Sequence, residues 1–198
     1  MKTYENYITT NKLNLDLAEI KNSCYSMKDV IMNNFKNVTE DGYNNAGGMA
    51  PITTQVHEQY NLLMYRFKGF HSLYFEIQKL FQQINKNEDT YYINCWLNIY
   101  QKGHFLDWHE HYPKRANAFH GFYCIDCEPS KTTYKIPNVP EPVDVISENN
   151  LLVMSPSTGD WHRTWPWEFG DRDRITIAFD IVPAEWTDDA RVNWWIPI

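Results

Sequence analysis

FLDWHEHYPKRANAFHGFYCID, residues 105–126, holds three of the chain's seven histidines, and a single glutamate separates two of them, His109 and His111. The run is aromatic and strand-like. On a strand, positions i and i+2 face the same side, so His109 and His111 project together while Glu110 points away. Two converging imidazoles suit a metal ion. A lone His-x-His pair is nevertheless more often a hydrogen-bonded surface or core pair, and the triplet decides nothing by itself.

The surrounding segments place it. From Tyr91 onward the sequence breaks into short aromatic and β-branched runs separated by Gly, Pro, Asn and Asp: YYINCWLNIYQ, FLDWHEH, AFHGFYCID, TTYKIP, NLLVMSP, DWHRTWPW and DRITIAFDIVP. Seven or eight such strands predict a sandwich or jelly roll. The proline-bearing stretch 136–145 reads as a surface loop between two of them. Upstream the spacing changes. Leu13, Leu17, Ile20, Cys24, Met27 and Ile31 recur three or four apart and predict a helix over 13–34. A second helix is predicted through Phe67, Phe70, Leu73, Ile77, Leu80, Phe81 and Ile84. With no internal repeat or linker, the chain reads as one mainly β domain: 1–90 a mostly helical support, 91–183 the core and 184–198 a tail.

Composition limits the function. The chain has 198 residues, 43% of them apolar and 16% aromatic, which is enough for one well-filled core. A formal charge of -7 argues against a nucleic-acid partner, and no basic stripe offsets it. The polar N-terminus has no apolar segment of signal-peptide type, and no apolar run reaches membrane-spanning length, so a soluble, cytoplasmic protein is expected. Four cysteines are too few and too irregular for a disulfide scaffold. Cys124 and Cys127 read as structural, since i and i+3 on a strand face opposite sides.

The distal half supplies more chemistry. In LLVMSPSTGDWHRTWPWEFGDRDRITIAFD a strand ends in Ser-Pro and is followed by His162. Further on, Arg174, Thr176 and Ala178 share one face of a strand whose other face carries Ile175, Ile177 and Phe179. An inward arginine needs an anion, and its planar fork suits a carboxylate, with Thr176 adding a hydrogen bond. The plainer alternative is a surface pairing with Asp171, Asp173 or Asp180.

In order and spacing, His109, His162 and Arg174 resemble the 2-oxoglutarate- and iron(II)-dependent oxygenases, in particular a prolyl-hydroxylase-like group common in phage and bacterial genomes. CWLNIYQKGHFLDWHEHYPKRANAFHGFYCI is similar to that group's first metal-histidine region, LLVMSPSTGDWHRTWP to its distal histidine, DRITIAFDI to its closing arginine strand, and NNAGGMAPI to its Asn-x-Gly-Gly segment. The resemblance covers roughly residues 40–183. It implies a double-stranded β-helix, a distorted jelly roll, with Fe(II) at its mouth, and oxidation of a substrate by O2 coupled to decarboxylation of 2-oxoglutarate. It also implies a hydroxylase acting on a protein or peptide side chain or on a small molecule. With the Asn, Lys and Tyr bias of the chain, a phage source and a host-cytoplasmic location are expected.

The usual iron set in these enzymes is two histidines and one carboxylate, His-x-Asp plus a distal His. Here His111 stands at the carboxylate position. Three arrangements stay open: His109, His111 and His162 together, His109 and His162 with water, or a bulged strand that turns Glu110 inward. The three-histidine set is favoured. Co-substrate binding is assigned to Arg174 and Thr176, with Asn98 or Tyr123 reaching a carboxylate; Trp96 and Tyr100 share the face of Asn98 and read first as core. His57, His71, His104 and His120 are left as structural or substrate-side residues. Two further readings are a cupin-like three-histidine metalloprotein that does not use 2-oxoglutarate and a non-catalytic binding module. Arg174 speaks against the first and the intact His109, His162 and Arg174 against the second. The sequence leaves the substrate and the oligomeric state open.

Overall fold

A computed structural model describes residues 7–34, 52–53, 60–111, 117–157, 159–186 and 194–198. The NNAGGMAPI segment, apart from the backbone of Ile52, and His57 lie outside the described residues.

The described residues form two α-helices, two short 3-10 helices (Leu62–Met64 and Ala184–Trp186) and eleven strands: β1 (Thr9–Lys12), α1 (Leu17–Asn34), β2 (Ile52–Thr53), α2 (Lys68–Ile84), β3 (Tyr91–Tyr100), β4 (Leu106–His109), β5 (Phe119–Asp126), β6 (Ser130–Lys135), β7 (Val143–Ser147), β8 (Leu151–Pro156), β9 (Trp161–Thr164), β10 (Arg174–Pro183) and β11 (Ile196–Pro197). They form two antiparallel sheets. The larger runs β1-β8-β5-β10-β3-β11, with β2 also on β3, and the smaller runs β4-β9-β6-β7. From β3 to β10 the chain crosses repeatedly between the sheets, so residues near one another in sequence line both walls of the space between them.

Strand parity fixes which side chains enter that space. On β10, Ile175, Ile177, Phe179 and Ile181 pack with Ile93, Cys95, Leu97 and Ile99 of β3 under the helices. Arg174, Thr176 and Ala178 point instead into the cleft between the sheets. The helices bury the predicted stripes: Ile20, Cys24, Met27 and Ile31 from α1, and Phe70, Leu73, Ile77, Leu80 and Phe81 from α2. No helix among the described residues is long and apolar enough to cross a membrane.

Some expectations need correction. Helix α1 begins at Leu17 rather than Leu13 because the Asp16 carboxylate accepts the Glu19 N–H at 3.0 Å, capping the helix, while Leu13 N–H donates to the carbonyl of Asn150. The supposed loop 136–145 ends early, and Val143 opens β7, which pairs with β6. Residues 184–198 are not only a tail, since β11 adds to the edge of β3. Strand parity does not apply to Cys124 and Cys127 as a pair: β5 ends at Asp126, and Cys127, a buried free thiol just past it, donates to the carbonyl of Ile175 at 3.1 Å.

Gly121 is the tightest point of the larger sheet. A Cβ there would meet the Val153 carbonyl oxygen and the Phe179 ring, so the β5–β8–β10 packing admits no side chain. Gly121→Ala is expected to cost about 1–3 kcal/mol, the range of overpacked cores. Denaturant unfolding measures it, and an unchanged midpoint would contradict this packing.

Candidate metal and co-substrate site

The mouth of the cleft collects histidines from separate strands. His109, at the end of β4, sits directly across from His162 of β9 in the strand register, with ring centroids 4.1 Å apart. His111 lies two residues past His109, beyond the end of β4, and its ring is 5.4 Å from His109 and 5.2 Å from His162. One ring nitrogen from each of the three lies within 4.8 Å of the others. Glu110 is not part of this group and does not line the cleft.

Hydrogen bonds orient two of the rings. A carbonyl oxygen only accepts, so His109 Nδ1 donates to Asp107 O at 2.8 Å and its Nε2 keeps a lone pair. His111 Nδ1 likewise donates to the Asp180 carboxylate at 2.8 Å. His162 is 7% exposed, and its Nδ1 has no hydrogen-bond partner among the described residues.

Deeper in the same cleft Arg174 is 2% exposed. Its Nε donates to Ser130 Oγ at 3.0 Å, and its guanidinium lies 5.2 Å from the centre of the Tyr100 ring. Among the described residues no carboxylate comes within salt-bridge distance of it; Asp173, Asp171 and Asp180 do not pair with it. Thr176 and Asn98, register partners on β10 and β3, lie beside it, with Asn98 Nδ2 3.5 Å from Thr176 Oγ1.

Tyr123 belongs to the opposite face of β5: it is fully buried in the core under the helices, and its hydroxyl bonds to Asn150. The same parity carries His120 and Phe122 into the cleft. His120 stacks 4.5 Å from His162 and 4.8 Å from His111, with its Nε2 2.8 Å from Asp160 Oδ2 and 2.9 Å from Ser155 Oγ. His120, Asp160 and His162 make a second set of donors that could hold a metal ion. Counting strand faces from Gly121, whose missing side chain faces the Phe179 ring, would have put His120 in the cleft and Tyr123 out of it. Nothing local marked Asp160 or Asp180.

No protein-family model and no curated protein sequence matches the chain. Solved structures do. A prolyl-4-hydroxylase from Pseudomonas putida matches with a TM-score of 0.61 at 14% identity, over 89% of this chain and 93% of its own. A Trichoplax adhaerens prolyl hydroxylase, solved with a hypoxia-inducible-factor peptide, matches at 0.63 and 13%, over 91% and 85%. The α-ketoglutarate-dependent epimerase SnoN of nogalamycin biosynthesis matches at 0.65 and 9%, over 91% and 80%. The chain has the fold of the 2-oxoglutarate- and iron(II)-dependent oxygenases.

On this oxygenase fold the donor chemistry fits a divalent transition metal: neutral imidazoles, nitrogens aimed inward, and a carboxylate behind one of them. Burial, reinforced by His111, lowers the pKa of His109 to about 4. Burial and the three neighbouring histidines hold His162 well below its ordinary value. Burial also acts on His111, but Asp180 outweighs it and the pKa rises. His109 and His162 are therefore neutral, as ligands must be.

The sign of the pH effect follows. His109 and His162 take up protons more readily once unfolded, where the ordinary value is 6.5, so the metal-free protein loses their contribution as pH falls from 6.5 toward about 4. The His111–Asp180 pair works the other way, stabilising at low pH and fading as pH rises through its folded pKa. Two lowered groups outweigh one raised group. The melting temperature of chelator-treated protein is expected to fall on acidification across that window, and a rise would contradict the burial of these rings.

Asp180 fixes the His111 tautomer and strengthens its donor nitrogen. Asp180→Asn is expected to weaken metal binding about 10- to 100-fold, the usual cost of losing a carboxylate behind a ligand histidine. Titration with manganese(II) measures it, and an unchanged affinity would exclude His111 as a ligand.

Proposed function

We propose that the protein is an Fe(II)- and 2-oxoglutarate-dependent dioxygenase, a hydroxylase built on a double-stranded β-helix. The observation that carries this reading is the buried Arg174, without a carboxylate partner among the described residues, in a cleft whose mouth holds three imidazoles. A desolvated guanidinium is costly unless an anion meets it, and a dicarboxylate keto acid brings one. Ser130 engages only Nε, leaving the terminal nitrogens for a bidentate carboxylate. The strand order supports the jelly roll, because β3, β10, β5 and β8 face β4, β9, β6 and β7.

The residues divide the work. His109, His111 and His162 would hold the iron, with Asp107 O and Asp180 keeping two of the rings in the right tautomer. Arg174 would bind the distal carboxylate, with Thr176 and Asn98 beside it, while Trp96, Tyr100 and Phe122 wall the cleft and keep water out. Iron bound there supplies the redox centre at which O2 is reduced as 2-oxoglutarate loses CO2 and a substrate is oxidised. The proposed substrate is a protein or peptide side chain or a small molecule; the Trichoplax neighbour's peptide complex supports the former. Screening the iron-loaded protein against peptide and metabolite panels, read as 2-oxoglutarate turnover, tests the activity. Turnover that no member of a broad panel stimulates, and that is equal without iron, would contradict it.

A further inference from the structure

His120, Asp160 and Ser155 play no part in the site proposed above. Asp160 is fully buried, and no lysine or arginine among the described residues lies within salt-bridge distance of it. One oxygen, Oδ2, meets His120 Nε2 at 2.8 Å; the other, Oδ1, has no hydrogen-bond partner among the described residues. His162 Nδ1 is similarly buried and bare. A carboxylate oxygen and a ring nitrogen buried without partners beside one another are costly. An ion that takes a lone pair from both removes that cost.

The donor set is suited to one. His120, Asp160 and His162 each bring a ligand atom within 4.8 Å of the others, and all three are buried. Two imidazoles and one carboxylate suit divalent first-row transition metals. We propose that His120, Asp160 and His162 form a second divalent-cation site, inside the cleft and next to the three-imidazole set.

The two sets share His162, which has two ring nitrogens. When both are filled, the imidazole gives one nitrogen to each ion and releases its remaining ring proton to solvent. Asp160, Asp180 and the imidazolate then set three negative charges against the four positive charges of the two ions. Ser155 Oγ, 2.9 Å from His120 Nε2 and 3.5 Å from Asp160 Oδ2, anchors the carboxylate side of the site.

The inference rests on the metal reading of the cleft but fails separately from it. Chelator-treated full-length protein is equilibrated with cobalt(II), and ions per chain are counted by elemental analysis after gel filtration and by native mass spectrometry. The expected result is two ions in the parent, one in Asp160→Asn and in His120→Ala, and one in His109→Ala. Asp160→Asn is nearly isosteric and guards against a folding artefact in His120→Ala; circular dichroism checks both. A single ion that Asp160→Asn removes and His109→Ala spares keeps this inference and removes the three-imidazole site. A single ion lost in His109→Ala but retained in Asp160→Asn and His120→Ala overturns the inference and leaves the proposed function standing. A parent that binds no cobalt overturns both.

Discussion

Arg174→Ala is expected to leave the metal in place and to raise the dissociation constant of 2-oxoglutarate about thirty-fold or more. Truncating one partner of a desolvated charged pair costs on the order of 2–5 kcal/mol, and each 1.4 kcal/mol is about a factor of ten. The structure gives the reason for so large an effect: the guanidinium is 2% exposed, so water cannot stand in for the lost partner. Lysine should restore part of the affinity, since it keeps the charge but loses the fork and the Nε–H that donates to Ser130. Co-substrate titrations of the metal-loaded variants measure this. Parental affinity in the alanine variant would move the cupin-like reading ahead.

His109→Ala is expected to abolish iron binding at the three-imidazole set without unfolding the chain. The side chain is at the end of a short strand at the mouth of the cleft, not in the core under the helices. Its loss leaves two imidazoles, too few for a stable site of this kind. His162→Ala should do the same and should also disturb the neighbouring His120–Asp160 set, because His162 belongs to both. Calorimetric titration with iron(II) under nitrogen reads the loss, and the melting temperature checks the fold. Undiminished affinity in either variant would remove the metal from this part of the cleft.

Strand parity made much of the architecture legible before any coordinates. The alternation of Arg174, Thr176 and Ala178 against Ile175, Ile177 and Phe179 put the arginine in the cleft and the apolar side chains under the helices. The same rule paired His109 with His111, although β4 ends at His109 and the chain has left the ladder by His111. Tyr123, paired with Asn98 as a carboxylate partner without any parity argument, falls on the other face of β5, in the core under the helices. β1 was invisible for a different reason: Thr-Thr-Asn-Lys is mostly exposed at a sheet edge and carries no apolar alternation to detect.

The polar partners of the site were the least legible. Asp180 reaches His111 across 69 residues, and Asp160 reaches His120 across 40. Contacts of that kind are set by which strands face each other, and no local spacing announces them. They also bear on the missing carboxylate of the iron set. The chain has no His-x-Asp, yet two buried carboxylates stand against its imidazoles, one behind His111 and one beside His120.

The central claim is that one cleft holds iron and 2-oxoglutarate together. Adding 2-oxoglutarate to the iron(II)-loaded protein under strict exclusion of oxygen tests it most directly, because a keto acid chelated to ferrous iron gives a weak visible charge-transfer band and neither alone does. The account predicts that band in the parent, its absence in His109→Ala, and its displacement to much higher 2-oxoglutarate concentrations in Arg174→Ala. No band in a parent that demonstrably binds both iron and 2-oxoglutarate would place them apart and contradict the account.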